Sequence, residues 1–181
     1  MSNGYTQQQI CLMNQVQQLW EQHVYWTRFF IVSAAANLDD LESVTNRLLE
    51  NPKDFAQLLT PLCGRNKACQ FQELLTQHLL IAADLVNAAK HGETEKANSA
   101  QKQWYQNADE IACFLSSVNP CWNEARWKDL LYRHLKMTEQ EATLYLQGNY
   151  GASIECFNHI EKEALTMANY MFCGIINRRF Y

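Results

Sequence analysis

The stretch that decides the fold runs from residue 66 to residue 118 and reads NKACQFQELLTQHLLIAADLVNAAKHGETEKANSAQKQWYQNADEIACFLSSV. Apolar residues recur every three or four positions on both sides of Gly92, which is the period of a helix. A glycine just past the last periodic residue is a common helix end. The stretch therefore predicts two long helices, about residues 66–91 and 94–118, which lie antiparallel because so few residues join them.

The same period extends to both ends of the chain. It predicts two further long helices, which are residues 6–36 and 152–177. It also predicts short helices, which are residues 40–50, 53–62 and 124–136. Thr138 and Glu141 have the spacing of a capping box and are expected to open another turn of helix. Arg178 and Arg179 are expected near the negative end of the last helix.

The composition supports an all-α chain. The 181 residues include 6 Gly and 3 Pro, so few positions favour a turn. One domain is the usual outcome at this length. We therefore predict a single helical-bundle domain over residues 1–181, with four long helices in the bundle and the short helices packed at its end or side.

Each predicted long helix interrupts its apolar stripe with a polar residue. On a helical wheel His78, Asn107 and Glu161 lie inside the stripes of their helices, and His23 lies about 40° from the centre of its own. All four are near the middle of a helix, so a bundle places them at one level. A buried carboxylate costs several kcal/mol unless it is paired or bound. The four residues therefore predict one polar cluster.

Two interpretations of the cluster remain open. In the first, His23, His78 and Glu161 bind a divalent metal, iron or zinc, because two histidines and a carboxylate are a known ligand set for such ions. Asn107 and Thr27 then orient the ligands. In the second, Glu161 accepts hydrogen bonds from its neighbours, and the network only fixes the register of the helices.

A small ligand is another possible occupant of the core. Asn107 and Thr27 are expected to contact it from within the cluster. His134 follows Trp127 and Leu131 on a short helix, and we expect it to cap one end of the core cavity. The Glu-x-x-His pairs of di-iron bundle proteins are absent from the sequence.

Several functional classes are disfavoured by missing features. The chain contains no phosphate-binding glycine loop and no Gly-x-Ser-x-Gly. A formal net charge of −4 argues against a nucleic-acid partner. The N-terminus lacks a secretory signal, and the most apolar stretch, residues 24–36, is too short to span a bilayer. These features predict a cytoplasmic protein without a membrane span.

Aromatic residues and cysteines make a homo-oligomer a further expectation. Aromatic side chains surround the first helix, at Trp20, Tyr25, Trp26, Phe29 and Phe30. Such a helix is expected to contact either the short helices or a second subunit. The seven cysteines are odd in number and form no Cys-x-x-Cys motif, so a zinc knuckle is not expected.

Several stretches resemble a family of small helical proteins from spore-forming Gram-positive bacteria. The matching stretches are LWEQHVYWTR (19–28), NPKDFA (51–56), WYQNADEIA (104–112), LYRHL (131–135) and IE (160–161). The family has no established function, and some members carry the label acetylglutamate kinase. An amino-acid kinase is a larger α/β protein with glycine-rich loops, so that activity is not expected for this chain.

These observations predict a binding or structural helical bundle that does not use nucleotides. Its polar midplane cluster is expected to hold a divalent metal or a small ligand. Two alternatives stay open. One is a homo-oligomeric structural protein whose polar core only supports the fold, and the other is a metal-dependent enzyme of unknown substrate.

Overall fold

The computed structural model describes residues 4–177, which fold into seven helices. They are α1 (Gln7–Ala36), α2 (Leu41–Leu48), α3 (Asn51–Cys63), α4 (Arg65–Lys90), α5 (Thr94–Val118), α6 (Glu124–Leu146) and α7 (Tyr150–Asn177). No strand occurs within these residues, and the prediction of an all-α fold is confirmed for them. Arg178 and Arg179 lie outside the described residues.

Several helices end where the sequence predicts. The Thr6 hydroxyl accepts a hydrogen bond from the Gln9 backbone N–H, and the Gln9 side chain accepts one from the Thr6 N–H, which forms a capping box at the start of α1. Asn37 stops α1 in the left-handed region, with φ of 51°. Gly92 has φ of 70° and makes the short turn between α4 and α5.

The prediction of four long helices is wrong, because α6 is a fifth. The predicted helix 124–136 continues unbroken to Leu146. Thr138 does not cap a new helix there. Its hydroxyl donates to the backbone oxygen of His134 at 2.9 Å, which is a bond within a continuous helix. Glu141, the other half of the supposed capping box, is buried and pairs with Arg28.

The long helices pack side by side, some parallel and some antiparallel to one another. Phe71 near the start of α4 stacks on Phe114 near the end of α5, with ring centroids 5.8 Å apart, so the predicted antiparallel pair is confirmed. Helix α7 runs antiparallel to α1, since Gln17 bonds Asn169 early in α1 and Tyr25 bonds Glu161 later in it. Helices α1, α4 and α6 run one way, and α5 and α7 run the other.

The apolar core is divided into two clusters. The larger one includes Val16, Phe55, Leu115, Leu130 and Met167. The smaller one consists of Phe30, Ile31, Ala34, Val44, Leu48, Leu79, Val86 and Ala142. The smaller cluster contains the residues that follow the middle of α1, α4 and α6. A layer of polar side chains lies at the boundary between the two clusters.

Candidate functional site

Three buried histidines meet at that boundary and form what we call the histidine layer. His23 on α1, His78 on α4 and His134 on α6 are each 2% exposed. The centroid of the His23 ring lies 5.6 Å from that of His134 and 6.4 Å from that of His78. The prediction that His23 and His78 share one level is confirmed. His134 joins them because α6 is a long helix within the bundle.

Two asparagines orient two of these rings. Asn51 donates to a backbone carbonyl of α1 at 2.9 Å, so its side-chain oxygen faces the His23 Nδ1 at 3.1 Å. Asn107 donates to a backbone carbonyl of α4 at 3.1 Å, and its oxygen lies 2.8 Å from the His78 Nδ1. An amide oxygen only accepts, so each histidine donates its Nδ1–H and keeps its lone pair on Nε2.

Burial keeps the histidine layer uncharged at neutral pH. It lowers the pKa of His23 to about 4 and the pKa of His78 to about 3. It also holds the pKa of His134 well below its usual value. Repulsion from the neighbouring imidazoles lowers the pKa of His78 and His134 further. The hydrogen bonds to the asparagines favour the charged rings but do not outweigh desolvation.

An apolar cavity of about 180 Å³ begins directly beyond the histidine layer. Thr27 lies one helical turn past His23 and donates to its backbone oxygen at 2.7 Å. Trp104, whose ring centroid is 5.2 Å from that of His78, lies beside it at the inner end. The walls are mostly apolar and include Phe30, Ile31, Leu79, Leu85, Val86 and Ala142. The smaller half of the core is therefore built around this cavity.

Two polar atoms in the cavity lining have no hydrogen-bond partner among residues 4–177. One is the indole N–H of Trp104, a side chain that is only 3% exposed. The other is the Oε1 of the half-buried Glu139. Burial raises the pKa of Glu139, against a hydrogen bond from Gln101 that lowers it. Both atoms are almost completely buried, so they lie within the wall of the cavity and not on its open surface.

The cavity opens to solvent where α4, α5 and α6 meet. Its exposed lining residues are Ala89, Gln101 and Thr143, and Glu139 lies one helical turn before Thr143. Of the lining side chains that the structure describes, Glu139 alone is ionisable. The opening is therefore polar and acidic, whereas the interior is apolar.

Glu161, the predicted carboxylate of the cluster, is not buried in the bundle. It is half-buried and accepts a hydrogen bond from the Tyr25 hydroxyl at 2.5 Å. The buried face of α7 passes through Phe157, Ile160 and Ala164 instead. The helical wheel also included a second apolar stripe on α7, with the exposed Ile154, and this placed the predicted buried face about 75° from the observed one. The predicted level of Glu161 along α7 was therefore right, and its predicted face was wrong.

The carboxylate that the fold does bury is Glu141, which the sequence analysis assigned to a capping box. It is 1% exposed, its Oε1 accepts from the Arg28 Nη1 at 2.5 Å, and Arg28 also donates to Ser153 at 3.2 Å. Burial raises the pKa of Glu141 to about 7 although Arg28 lowers it. In a continuous helix the spacing of His134, Thr138 and Glu141 places all three on one face. This spacing was the sequence signal that could have indicated a buried Glu141.

The predicted metal ligands are not assembled around one point. Within residues 4–177 no group of three or more His, Cys, Asp or Glu side chains is placed to share a metal ion. Glu161 is on the outer side of α7, as described above. Of the residues predicted to contact a small ligand, Thr27 lines the cavity, while Asn107 and His134 lie behind its inner end in the polar layer.

The surfaces proposed for oligomer contacts are partly exposed. Trp20 and Phe30 are buried in the bundle, whereas Tyr25 is 38% and Phe29 is 49% exposed. Ile154 on the neighbouring α7 is 51% exposed. The exposed cysteines are Cys11, Cys69, Cys113, Cys121 and Cys173.

Comparisons of the chain with protein-family models, with curated proteins and with solved structures found no match. The resemblance to the helical family of spore-forming bacteria stays a prediction. None of the helices within residues 4–177 combines the length and the apolarity needed to cross a membrane. The cavity and the polar layer beneath it are therefore the features of the molecule that bear on its function.

Proposed function

We propose that the protein is a binding module for a small, largely apolar molecule of about the size of one aromatic ring. The observation that carries the proposal is the apolar cavity of about 180 Å³. An engineered cavity of about 150 Å³ lined by Leu, Ile and Phe binds benzene. The cavity here has room for a similar ring, and Thr27, Gln101 and Thr143 add polar side chains to its lining.

A cavity of this size leaves its apolar walls without the packing contacts that a filled core would give them. Small residues keep it open, since Ala82 and Ala142 both belong to its lining. A leucine at either position would fill part of the space. The presence of this space in the packed bundle supports a role in binding.

The histidine layer gives the cavity a rigid and uncharged inner end. Asn107 fixes the ring of His78, and His78 packs against Trp104, which bears the free indole N–H. Buried and fully oriented polar networks of this kind fix side-chain positions. Asn107 therefore acts on the bound molecule through His78 and Trp104, without contact of its own.

Replacement of Ala142 by Leu is expected to abolish binding of phenol in the cavity. The added carbon atoms occupy the space of a ligand ring, and Ala142 is 7% exposed, so they cannot turn into solvent. Titration calorimetry with phenol should show one site per chain for the parent protein and at least a tenfold loss for Ala142→Leu.

The matched control is Ala125→Leu, the same change at an exposed position of the same helix. It should bind phenol as the parent protein does. Undiminished binding by a folded Ala142→Leu variant would contradict the proposal, because phenol would then bind elsewhere.

Binding of iron or zinc by the histidine layer is a separate proposal. It is supported by the lone pairs that His23 and His78 keep on Nε2, the form in which a histidine ligates a metal. Elemental analysis of protein purified without an affinity tag tests it, with His78→Ala as the comparison. A metal content below about 0.1 per chain would exclude a resident metal ion.

A further inference from the structure

We infer that the cavity takes a primary amine with a short apolar tail, whose ammonium group is held at the opening by Glu139. This inference rests on the proposed function and specifies its ligand class. The charge of the lining, the polar side chains at the opening and the apolar interior support it.

The charge of the lining selects against acids. Glu139 is its single ionisable side chain among the residues that the structure describes, and no Lys, Arg or His belongs to the lining. A carboxylate ligand would therefore lie beside a like charge with no counter-ion. A cation at the same place is attracted by Glu139, and more strongly than in water because the site is half-buried.

The opening also provides hydrogen-bond acceptors in the number that an ammonium group needs. An ammonium group has three N–H donors and no acceptor. Glu139 carries two carboxylate oxygens, and the exposed side chains of Gln101 and Thr143 each carry a further oxygen. Gln101 lies close enough to Glu139 to lower the pKa of that carboxyl.

The interior fits the other end of such a molecule. Beyond the opening the walls are formed by Phe30, Leu79 and Val86 from α1 and α4, all of them nearly free of solvent. A tail of about one ring fills this space, as benzene fills a cavity of about 150 Å³. The pKa of Glu139, which burial raises, would fall again when an ammonium group arrives.

Three ligands of one size test the inference by calorimetry at pH 7: 2-phenylethylamine, 2-phenylethanol and phenylacetate. We expect the amine to bind about tenfold more tightly than the alcohol, and the acid more weakly than both. In Glu139→Gln the amine should lose this advantage, while the affinity for the alcohol should stay within about twofold.

The matched control is Glu163→Gln. Glu163 is also a half-buried carboxyl with a partner-free Oε1 and a pKa raised by burial, but it lies on α7 outside the cavity. This variant should bind all three ligands as the parent protein does. A loss of amine binding in both variants would point to the net charge of the protein and would overturn the inference.

The result has separate meanings for the inference and for the proposed function. If the alcohol binds and is excluded by Ala142→Leu, but the amine has no advantage or keeps it in Glu139→Gln, the cavity is a binding site and the amine inference is wrong. If none of the three ligands binds but phenol does, only the amine inference is wrong, and if phenol fails as well, both are wrong.

Discussion

A shift from pH 7 to pH 4 is expected to unfold the protein. The pKa of a histidine in the unfolded chain is about 6.5, while folding lowers the pKa of His23 to about 4 and of His78 to about 3. The stability that these neutral rings contribute is present above pH 6.5 and is lost as the pH falls toward the folded pKa. At pH 4 these two histidines together lower the free energy of unfolding by about 6 kcal/mol, which matches the total stability of many domains. His134 adds to the loss.

Glu141 changes the stability with pH in the opposite direction, but it does not cancel the loss of stability that the histidines cause on acidification. Its pKa is raised from 4.5 to about 7 in the folded protein, so its contribution is present below pH 4.5 and is lost as the pH rises through 7. Between pH 5 and pH 6 the three histidines release protons on folding and Glu141 takes one up. On balance folding releases about two protons, so the free energy of unfolding falls by about 2.7 kcal/mol for each pH unit of acidification.

Urea denaturation at pH 7, 6 and 5 measures this slope. His78→Gln, which cannot be protonated, should reduce it by about one proton, whereas the exposed His159→Gln should leave it unchanged. A free energy of unfolding that is the same at pH 7 and pH 5 would show that the histidines are not buried as neutral rings.

Replacement of Gly174 by Ala is expected to lower the free energy of unfolding by about 3 kcal/mol. A Cβ at this position would lie 1.8 Å from the Nε1 of Trp122, which is far inside any permitted contact. Trp122 cannot move aside easily. It is 2% exposed, it donates to the Met171 backbone oxygen at 3.2 Å, and its ring packs edge-on against Trp127.

The same change in the first turn of α7 provides the control. A Cβ at Gly151 meets nothing within 4 Å, so Gly151→Ala should raise stability by up to about 1 kcal/mol through helix propensity. Urea denaturation of both variants measures the difference. Equal stability of the two would mean that Trp122 does not pack on Gly174 and that the connection between α5 and α6 meets α7 differently.

Features that depend on local sequence were predictable. The hairpin of α4 and α5 follows from the helical period and from Gly92. The shared level of His23, His78 and Asn107 follows from their central positions on helices of similar length. Each of these inferences needs only the period of the helix and the distance from a helix end.

Features that depend on which faces meet were not predictable from the same pattern. Glu161 lies at the expected level, but α7 has two apolar stripes and only contact with α1 and α6 decides between them. Asn51 is at the start of a short helix, and nothing local shows that it reaches His23. The spacing of Thr138 and Glu141 fits either a capping box or the interior of a helix. The structure has the second arrangement, in which Glu141 is buried and paired with Arg28.

The cavity is the feature of the molecule that the sequence predicts least. It exists because Ala82 on α4 and Ala142 on α6 border the same space, together with larger side chains from α1 and α5 that do not fill it. A sequence shows small residues on separate helices, but the empty volume appears only when the helices are packed. A binding site was expected at the histidines, and the cavity lies beyond them.

The most direct test of the central claim is a crystal structure of the protein with 4-bromophenol, located by the anomalous scattering of bromine. We expect one bromine position inside the cavity, between Ala142 and Trp104, with the phenol oxygen within hydrogen-bond distance of a polar atom of the lining. Bromine found only on the outer surface, with the cavity empty or closed, would contradict the claim that this protein binds small apolar molecules there.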